Sequence, residues 1–380
     1  MNWNGHHIQM ASASKHVVVA GAGILGASIA WHLAEKGVAV TVIDSGQPGA
    51  TAGSFGWINP WFGKRPQHYH RLNQLGVEAW QELAPRLKIP ITWSGCLAWE
   101  QDPTTLARES AAWHAAIQWS NGLEPIDRDA LSRAEPLVVF ADDARGVHSA
   151  ADGWVDAAAA TRALLTGSLS NGGEIRTPCI YQSPKIEQGR LVAVNTSDGE
   201  IPASHLVVAC GASPDAYESA LGFAVPQAPT AGVVATTNAM QPLISNLLVS
   251  EGVHVYQTRE GKLVMGAAAP LAAHAQTPPS PAECEREAMR IKDVVACFLP
   301  AATDAAIESF SVAWRPIPAD GLPAAGARPG ISEIYTALTH SGVTLAIVLG
   351  RLIAQEIADA TPAAMLEPYR PERFRRATQH

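Results

Sequence analysis

The sequence predicts an α/β protein that begins with a Rossmann-type unit and also contains a unit of mixed α+β structure. Three observations near its start lead to this prediction. The run His16–Ala20 is apolar and β-branched, which is typical of a buried parallel strand. Three glycines spaced as GxGxxG follow it directly, and residues 27–36 then repeat apolar side chains at helical spacing. A second strand is predicted over residues 38–43, which completes the order strand–helix–strand.

Each glycine of this motif has a physical role in holding a dinucleotide. Gly21 makes the tight turn, Gly23 lets the backbone approach a pyrophosphate, and Gly26 lets the helix pack closely on the strand. Asp44 ends the second strand and can accept hydrogen bonds from an adenosine ribose, while its charge disfavours a 2′-phosphate. The ordered set of features therefore predicts a dinucleotide site and argues against NADP.

The segment after the second strand favours FAD over NAD. Residues 45–59 are rich in Gly, Ser and Thr and lack the apolar pattern of a further helix, so they offer hydroxyl and N–H groups to a pyrophosphate and a flavin ring. An ordinary surface loop is the alternative, although Phe55 and Trp57 are unusual in one. Near the other end, a strand predicted over residues 334–338 leads to a helix over residues 345–358. Its N-terminus can stabilise the negative charge of a reduced flavin.

Composition argues against several other classes of protein. The 380 residues are 47% hydrophobic and 16% charged, as in a compact globular protein of two or three packed units. A formal net charge of -8 without any Lys/Arg run argues against nucleic-acid binding. Five cysteines with no CxxC pair indicate neither a disulfide framework nor a metal site, and they favour a cytoplasmic location. Residues 1–14 lack the apolar core of a secretory signal and are expected to be a disordered tail.

The chain resembles the D-amino-acid oxidase/glycine oxidase/sarcosine oxidase family in six stretches. In chain order they are GAGILGASIAWHLAEKGVAVTVID, GATAGSFGWINP, DGWVDAAAATRALL, LVVACGAS, WRPIPADGLPAAG and THSGVTLAIVLGRLIAQEI. The glycine motif is shared with many flavoproteins, whereas RPIPADGLPAAG and THSGVTLA are much more specific to this family. The resemblance covers about residues 16–357 and implies a discontinuous Rossmann-type FAD-binding domain with a mixed α+β substrate-binding domain.

The resemblance also implies which residues hold the FAD. The ADP half would contact the glycine motif and the acid after it, and the flavin half would contact the following loop and the N-terminus of the last long helix. The expected cofactor residues are Gly21, Gly23, Ile24, Leu25, Gly26, Asp44, Ser45, Thr51, Ser54, Phe55, Gly56, Cys210, Gly211, His340, Ser341, Gly342, Val343 and Thr344. FAD is expected to be non-covalent, because no cysteine follows Cys297 to make the linkage that some relatives carry near the C-terminus.

The order of these stretches predicts how the chain divides between the two domains. The FAD-binding domain is expected to comprise residues 15–88, 151–222 and 314–380, and the substrate-binding domain residues 89–150 and 223–313. Strand-like runs at residues 247–257, 262–268 and 307–314 predict a mixed sheet over the flavin.

Three side chains are candidates for binding the substrate. Arg315 lies between a predicted strand and the proline-rich turn, where the resembled family has an arginine that pairs with the substrate carboxylate; a structural ion pair is the alternative. Tyr256 matches a family position whose hydroxyl often reaches the same carboxylate, and a core or rim tyrosine is the alternative. Trp57 is expected to line the pocket. His340 is interpreted as a flavin neighbour rather than a base, with a helix-capping histidine as the rival interpretation, and no metal is expected.

The function implied by the resemblance is oxidation of a small amine, namely a D-amino acid, glycine or an N-alkyl amino acid. Hydride transfer from the α-carbon to flavin N5 would give an imine that hydrolyses to an oxo acid, and no general base is required once the amine is neutral. The electron acceptor stays open between O₂ and a quinone or electron-transfer protein. The alternatives are a 2-hydroxy-acid oxidoreductase and a non-catalytic FAD-binding subunit of a multi-subunit dehydrogenase. Homo-oligomers and hetero-oligomers are both compatible with the sequence.

Overall fold

The computed structural model describes residues 15–228, 230–273 and 279–377 of the chain. The tail expected at residues 1–14 lies outside the described residues. No helix in the described ranges has both the length and the apolar character needed to cross a membrane.

Helices form where apolar side chains recur at helical spacing, and polar side chains cap several of their N-termini. Asp102, Asp156 and Ser280 each accept a hydrogen bond from a backbone N–H in the first turn of the helix that follows. The helices of the described residues are α1 (Ile24–Glu35), α2 (Gln67–Leu83), α3 (Pro103–Trp119), α4 (Arg128–Ala134), α5 (Ala157–Ser170), α6 (Pro214–Leu221), α7 (Pro281–Phe298), α8 (Gly342–Asp359) and α9 (Glu372–Ala377), with 3-10 helices at Pro300–Asp304 and Ala364–Tyr369.

Strands alternate with these helices along most of the chain. The strands of the described residues are β1 (His16–Ala20), β2 (Ala39–Ile43), β3 (Trp57–Ile58), β4 (Ile91–Thr92), β5 (Cys96–Glu100), β6 (Leu123–Asp127), β7 (Arg145–Ser149), β8 (Gly153–Val155), β9 (Glu174–Arg176), β10 (Tyr181–Glu187), β11 (Arg190–Thr196), β12 (Gly199–Pro202), β13 (His205–Val208), β14 (Thr230–Ala239), β15 (Leu247–Ser250), β16 (Val253–Gln257), β17 (Lys262–Ala267), β18 (Ala272–Ala273), β19 (Ile307–Arg315), β20 (Ala324–Arg328) and β21 (Ile331–Leu338). They assemble mainly into two large sheets.

The first large sheet contains the strand–helix–strand unit expected near the start of the chain. Its six strands have the order β20-β21-β13-β1-β2-β9, and β1 pairs in parallel with both β2 and β13. Val17 and Val19 pack into a core formed with α1, α5 and α8, whereas Val18 and Ala20 pack on the other face with α6 and the sheet β10-β11-β12. Both faces are covered, which explains why residues 17–20 of β1 are all apolar and confirms the predicted α/β class.

The second large sheet has nine strands, and its two faces pack against different parts of the molecule. Its order is β18-β14-β17-β16-β15-β5-β7-β6, with β19 paired to β14. Val255 and Met265 point to one face and pack with α7. Tyr256 and Val264 point to the other face and pack with Phe55 from the loop after β2. Because side chains alternate along each strand, one face is filled by a helix and the other faces the first sheet's glycine-rich loop.

One predicted strand run proves to be two strands. Residues 247–257 form β15 and β16, which pair antiparallel around Glu251 and Gly252. These two turn residues have φ values of 51° and 73°, the signs that a type I′ hairpin turn requires. The prediction of a continuous run was wrong because apolar character alone does not reveal a two-residue turn, although Gly252 was a usable signal.

The strands of the two large sheets come from different parts of the chain. The expected domain boundaries themselves stay a prediction. The six-stranded sheet draws its strands from residues 16–43, 174–208 and 324–338, and the nine-stranded sheet from residues 96–149 and 230–315. Strand β19 crosses the expected boundary at residue 314, so Arg315 lies at the end of the nine-stranded sheet.

Candidate active site

The turn after β1 leaves no room for side chains at two of its glycines. Gly21 has a φ of +105°, and a Cβ added there would lie 2.4 Å from the carbonyl oxygen of Ala209. A Cβ added to Gly26 would lie 1.9 Å from the carbonyl oxygen of Gly21. Only glycine is therefore compatible with this close approach of helix, turn and neighbouring strand.

The N-terminus of α1 presents backbone rather than side chains. Its N-cap residue is Gly23, which has no side chain that could cap the helix, and its first turn contains no acidic residue. The side chain of Ile24 is 4% exposed, and that of Leu25 packs against the same core. An anion at this end of the helix would meet backbone N–H groups and the positive end of the helix dipole.

Asp44 and Thr51 hold the backbone of this turn in place. The Asp44 carboxylate accepts hydrogen bonds from the N–H groups of Ala22 and Gly46, each at 2.7 Å. Thr51 Oγ1 accepts a hydrogen bond from the N–H of Ile24 at 3.2 Å. Asp44 therefore lies directly beside the glycine turn, where an adenosine ribose is expected.

The serines of the loop after β2 form hydrogen bonds within the loop. Ser45 Oγ accepts from the N–H of Gln47 at 3.3 Å, and Ser54 Oγ accepts from the N–H of Gly56 at 3.0 Å. Gly56 has a φ of +82°, and a Cβ there would lie 2.1 Å from the carbonyl oxygen of Val155. These contacts fix the course of the loop toward the nine-stranded sheet.

The turn after β13 lies against the glycine turn. Cys210 Sγ donates a hydrogen bond of 3.4 Å to the carbonyl oxygen of Ala20, and Gly211 follows with a φ of +60°. Burial raises the pKa of the Cys210 thiol to about 12. Cys210 is therefore a protonated thiol at neutral pH and a poor nucleophile.

The N-terminus of α8 meets the N-terminus of α1. Helix α8 begins at Gly342 after its N-cap residue Ser341, with no side-chain cap and no acidic residue in its first turn. A Cβ added to Gly342 would lie 4.0 Å from Cγ2 of Ile24, at the start of α1. Two helix N-termini with positive partial charge thus converge on the same place.

Val343 and Thr344, in the first turn of α8, use their polar atoms to anchor the helix. Thr344 Oγ1 accepts a hydrogen bond of 3.0 Å from the N–H of Asn59 and lies 3.3 Å from the carbonyl oxygen of Trp57, to which it donates. The carbonyl oxygen of Val343 accepts a 2.8 Å hydrogen bond from Trp80 Nε1. These bonds tie α8 to β3 and α2.

The cofactor side of the site therefore fits an anionic dinucleotide. Cβ atoms are excluded at Gly21 and Gly26, two helix N-termini without an acidic first-turn residue converge, and Asp44 accompanies the turn. A pyrophosphate needs this combination of close backbone approach and positive partial charge. FAD would be held by the glycine turn, Asp44 and the N-terminus of α8.

One face of the nine-stranded sheet brings Arg315 and His254 to the same area. A Cβ added to Gly232 would lie 2.9 Å from Arg315 Nε, and a Cβ added to Gly266 would lie 2.4 Å from His254 Nε2. The two glycines let these long side chains lie across the sheet. Tyr256 follows two residues after His254 on β16, so its side chain points to the same face.

Arg315 has a largely unpaired guanidinium among the described residues. Its Nη1 donates a hydrogen bond of 3.2 Å to the carbonyl oxygen of Ala268, while Nε and Nη2 are buried without a hydrogen-bond partner. Desolvation by burial lowers its pKa from the ordinary value. In the described part of the chain Arg315 forms no ion pair with a carboxylate, so the structural ion pair considered as the alternative is not formed there.

Aromatic side chains surround this part of the sheet. Tyr256 stacks on Trp154, with ring centroids 4.3 Å apart and planes inclined by 12°. The Phe55 ring lies 4.3 Å from His254 and 4.8 Å from Tyr256, and the Trp57 ring lies 6.0 Å from His254. Burial raises the pKa of Tyr256, so its hydroxyl stays protonated and able to donate. The result is an apolar wall beside the half-buried cation of Arg315.

The two histidines near Arg315 are neutral at neutral pH. Burial lowers the pKa of His254 to about 3, with a further effect of Arg315. Burial also lowers the pKa of His340 to about 3, with further effects of Lys64 and Arg315. Within the described ranges, no three His, Cys, Asp or Glu side chains come together as a metal site.

Three residues of this site were not predicted from the sequence. Lys64 Nζ donates a hydrogen bond of 2.6 Å to Ser341 Oγ, and the fully buried Asp152 accepts one of 2.6 Å from Trp57 Nε1. The third is His254, which the period-2 pattern of β16 would have revealed. A lysine in a Gly/Pro-rich turn is ordinarily solvated, so the sequence around Lys64 gave no signal.

The fold and the site together define an α/β protein with a site for an anionic dinucleotide. The chain belongs to the DAO family of FAD-dependent oxidoreductases, because the family profile described as "FAD dependent oxidoreductase" matches residues 16–356. The resemblance drawn from the sequence motifs is thereby confirmed, as is the assignment to the oxidoreductases.

Similar proteins cover nearly the whole chain. The glycine oxidase of Pseudomonas putida is 25% identical over 372 residues, which span 94% of this chain and 99% of that protein. The D-amino acid dehydrogenase of a Methylobacterium species is 25% identical over 426 residues, which span 95% of this chain and 99% of that protein. The crystal structure of L-proline dehydrogenase from P. horikoshii has a TM-score of 0.85 at 21% identity, covering 96% of this chain and 98% of that one. The last similarity supports the fold, and the relatives differ among themselves in substrate.

Proposed function

We propose that this protein oxidises a small amino acid or N-alkyl amino acid and that Arg315 binds the substrate carboxylate. The observation that carries the proposal is the half-buried Arg315, whose Nε and Nη2 atoms are buried without a hydrogen-bond partner in the described residues. A carboxylate satisfies two guanidinium N–H groups at once with a bidentate geometry. Both sequence relatives described above are named for amino-acid substrates, which supports the same class.

The surroundings of Arg315 support binding of a neutral amine next to a bound carboxylate. Phe55 and Trp57 place apolar rings beside His254 on this face of the sheet, and His254 and His340 carry no charge there at neutral pH. A neutral amine is the form that can be oxidised, because its nitrogen lone pair forms the C=N bond. In this proposal the protein binds, orients and desolvates the substrate, and no side chain serves as a general base.

FAD, held by the glycine turn and the N-terminus of α8, would supply the oxidising chemistry, which is removal of a hydride from the substrate α-carbon. The substrate loses that hydride, which is two electrons and one proton, and becomes an iminium ion. Water then adds, and the products are an oxo acid and ammonium or, from an N-alkyl substrate, an alkylammonium ion. The electrons leave to O₂, which makes the protein an oxidase, or to a quinone or electron-transfer protein, which makes it a dehydrogenase.

We infer further that the FAD is held without a covalent bond. Cys210 is the cysteine beside the glycine turn, and its raised pKa keeps it in the unreactive thiol form. Cys297 lies at the far end of α7, and no cysteine follows it in the sequence. Denaturation with acid should therefore release all of the flavin into the supernatant, and flavin that stays with the precipitated protein would contradict this inference.

The test is an anaerobic titration of the purified protein with D-, L- and N-methyl amino acids, followed by the visible absorption of oxidised flavin. Bleaching by one class identifies the substrate, and readmitted air distinguishes an oxidase from a dehydrogenase. In the variant Arg315→Met the concentration for half-maximal bleaching should rise by about 100-fold or more, since losing one partner of a buried charge pair costs roughly 2–5 kcal/mol. For the variant Arg315→Lys, the concentration for half-maximal bleaching should lie between the values of the wild type and of Arg315→Met. Lysine keeps the positive charge and loses the bidentate geometry.

The matched control is Arg259→Met, which removes an exposed arginine near the same sheet and should leave the titration unchanged. Bleaching by 2-hydroxy acids and by no amino acid would overturn the amine assignment. An unchanged titration of Arg315→Met would show that the carboxylate binds elsewhere. Absence of a flavin band after addition of FAD would overturn the cofactor site as well.

A further inference from the structure

A buried lysine lies at the N-terminus of α8. Lys64 is 8% exposed, and its Nζ donates a hydrogen bond of 2.6 Å to Ser341 Oγ, the N-cap residue of that helix. The same Nζ lies 5.8 Å from the ring centroid of Tyr69, whose hydroxyl is 2.8 Å from Ser341 Oγ. No described carboxylate forms an ion pair with Lys64. A cation at this position adds to the positive end of the helix dipole instead of balancing it.

A buried acid of opposite charge stands on the substrate side of the same site. Asp152 is fully buried; its Oδ1 accepts the hydrogen bond from Trp57 Nε1, and its Oδ2 has no partner among the described residues. Burial lowers the pKa of Lys64 to about 8 and raises the pKa of Asp152 to about 7, while each charge favours the ionised form of the other. The two groups therefore interact through space without direct ion pairing.

We propose that Lys64 and Asp152 are an electrostatic couple that sets the reduction potential of the bound flavin, with Lys64 favouring electron uptake and Asp152 opposing it. The inference rests on the proposed function, because it requires FAD at the glycine turn and the N-terminus of α8. Lys64 is linked by Ser341 to that helix N-terminus, and Asp152 is linked by Trp57 to the aromatic wall. In this proposal neither residue exchanges a proton with the substrate.

The physical reason is the low effective dielectric of a buried site. Uptake of a hydride adds two electrons and one proton to the flavin and leaves one added negative charge, and the electrons come from the substrate of the proposed reaction. A nearby buried cation lowers the free energy of that charged form, and a buried carboxylate raises it. Unlike Arg315, Lys64 has its ammonium bound to the N-cap hydroxyl of α8, so its charge acts on the cofactor side of the site.

The test measures the midpoint potential of the bound FAD against reference dyes in the wild type and in Lys64→Met, Lys64→Arg and Asp152→Asn. Lys64→Met should lower the potential and Asp152→Asn should raise it, each by about tenfold or more in the two-electron equilibrium constant, which corresponds to about 30 mV or more. The midpoint potential of Lys64→Arg should stay near that of the wild type, because arginine keeps the positive charge. The dissociation constant for sulfite, a second probe of the charge near the flavin, should increase about tenfold in Lys64→Met.

The matched control is Lys185→Met, a lysine in β10 outside the site, which should leave both readouts unchanged. Opposite shifts in the lysine and aspartate variants support the couple, whereas a purely structural role would move both in the same direction. Unchanged potentials in variants that retain FAD would overturn the inference and leave the proposed function standing. If Lys64→Met fails to bind FAD, the inference is tested by Asp152→Asn alone. A raised midpoint potential in that variant supports the inference, and an unchanged or lowered potential overturns it. If the wild type binds no FAD, the proposed function itself fails.

Discussion

The proposed cofactor side and the proposed substrate side of the candidate active site are built in different ways. The cofactor side is made chiefly of backbone, with Cβ atoms excluded at Gly21 and Gly26 and with two helix N-termini whose first turns carry no acidic residue. The substrate side is made of side chains, chiefly Arg315 from β19 and His254 and Tyr256 from β16. Strands β14 and β17 lie between β19 and β16 and join them into one face.

The difference explains why the two sides were not equally visible in the sequence. A backbone-built site needs glycines at fixed spacing in one turn, so its residues are contiguous and form a motif. A side-chain-built site collects residues whose strands are neighbours only after the sheet has formed, so each appears alone in the sequence. The comparison also predicts that the two sides can be damaged separately.

The largest expected effect is loss of the cofactor from the variant Gly26→Ala. The added Cβ would lie 1.9 Å from a backbone carbonyl oxygen, which no change of rotamer can relieve. We expect FAD affinity to fall by about 100-fold, measured as flavin bound per protein after titration with FAD, with circular dichroism as the check of folding. Gly49→Ala is the matched control, because nothing lies within 4 Å of its Cβ position. Stoichiometric FAD in Gly26→Ala would contradict the backbone description of this side.

A smaller effect, confined to the substrate side, is expected from Gly232→Ala. Its Cβ would lie 2.9 Å from Arg315 Nε, so the flexible guanidinium must move while the backbone stays in place. We expect the substrate concentration for half-maximal activity to rise about tenfold with the FAD content unchanged, since a displaced guanidinium loses part of its bidentate geometry. Steady-state kinetics and the flavin-to-protein ratio measure the two quantities. A parallel loss of FAD would show that the two sides are not separable.

The smallest effect concerns a buried histidine under the cofactor side. His32 in α1 is 7% exposed, and burial lowers its pKa from 6.5 to about 4. Between pH 6.5 and pH 4, His32 therefore binds a proton in the unfolded chain but not in the folded chain. The free energy of unfolding that is present above pH 6.5 decreases as the pH falls through this range. We expect the loss of unfolding free energy between pH 7 and pH 5 to be about 1–2 kcal/mol smaller in His32→Gln, measured by urea denaturation.

The control for this experiment is His114→Gln, which replaces an exposed histidine of α3. It should reproduce the pH dependence of the wild type. An equal loss of stability in His32→Gln and the wild type would show that another group causes the acid sensitivity.

The part of the fold that could be predicted is the part set by local pattern. The apolar run His16–Ala20 became β1, and the helix expected over residues 345–358 became the larger part of α8. The hairpin of β15 and β16 was missed because its two-residue turn interrupts an otherwise continuous apolar run. The expected roles of Arg315 and Tyr256 stay predictions, although both side chains lie on the same sheet face.

Sequence pattern was sufficient to identify the dinucleotide unit, the α/β class and the family, because the glycine spacing and strand periodicity act over a few residues at a time. Packing of distant segments was needed to reveal the electrostatics of the site. Lys64 and Asp152 look like ordinary surface charges in the sequence, but both are buried, Lys64 against the N-cap residue of α8 and Asp152 against Trp57 of β3. The pKa of a side chain depends on the desolvation and charges that surround it, and those are set by residues far away in the chain.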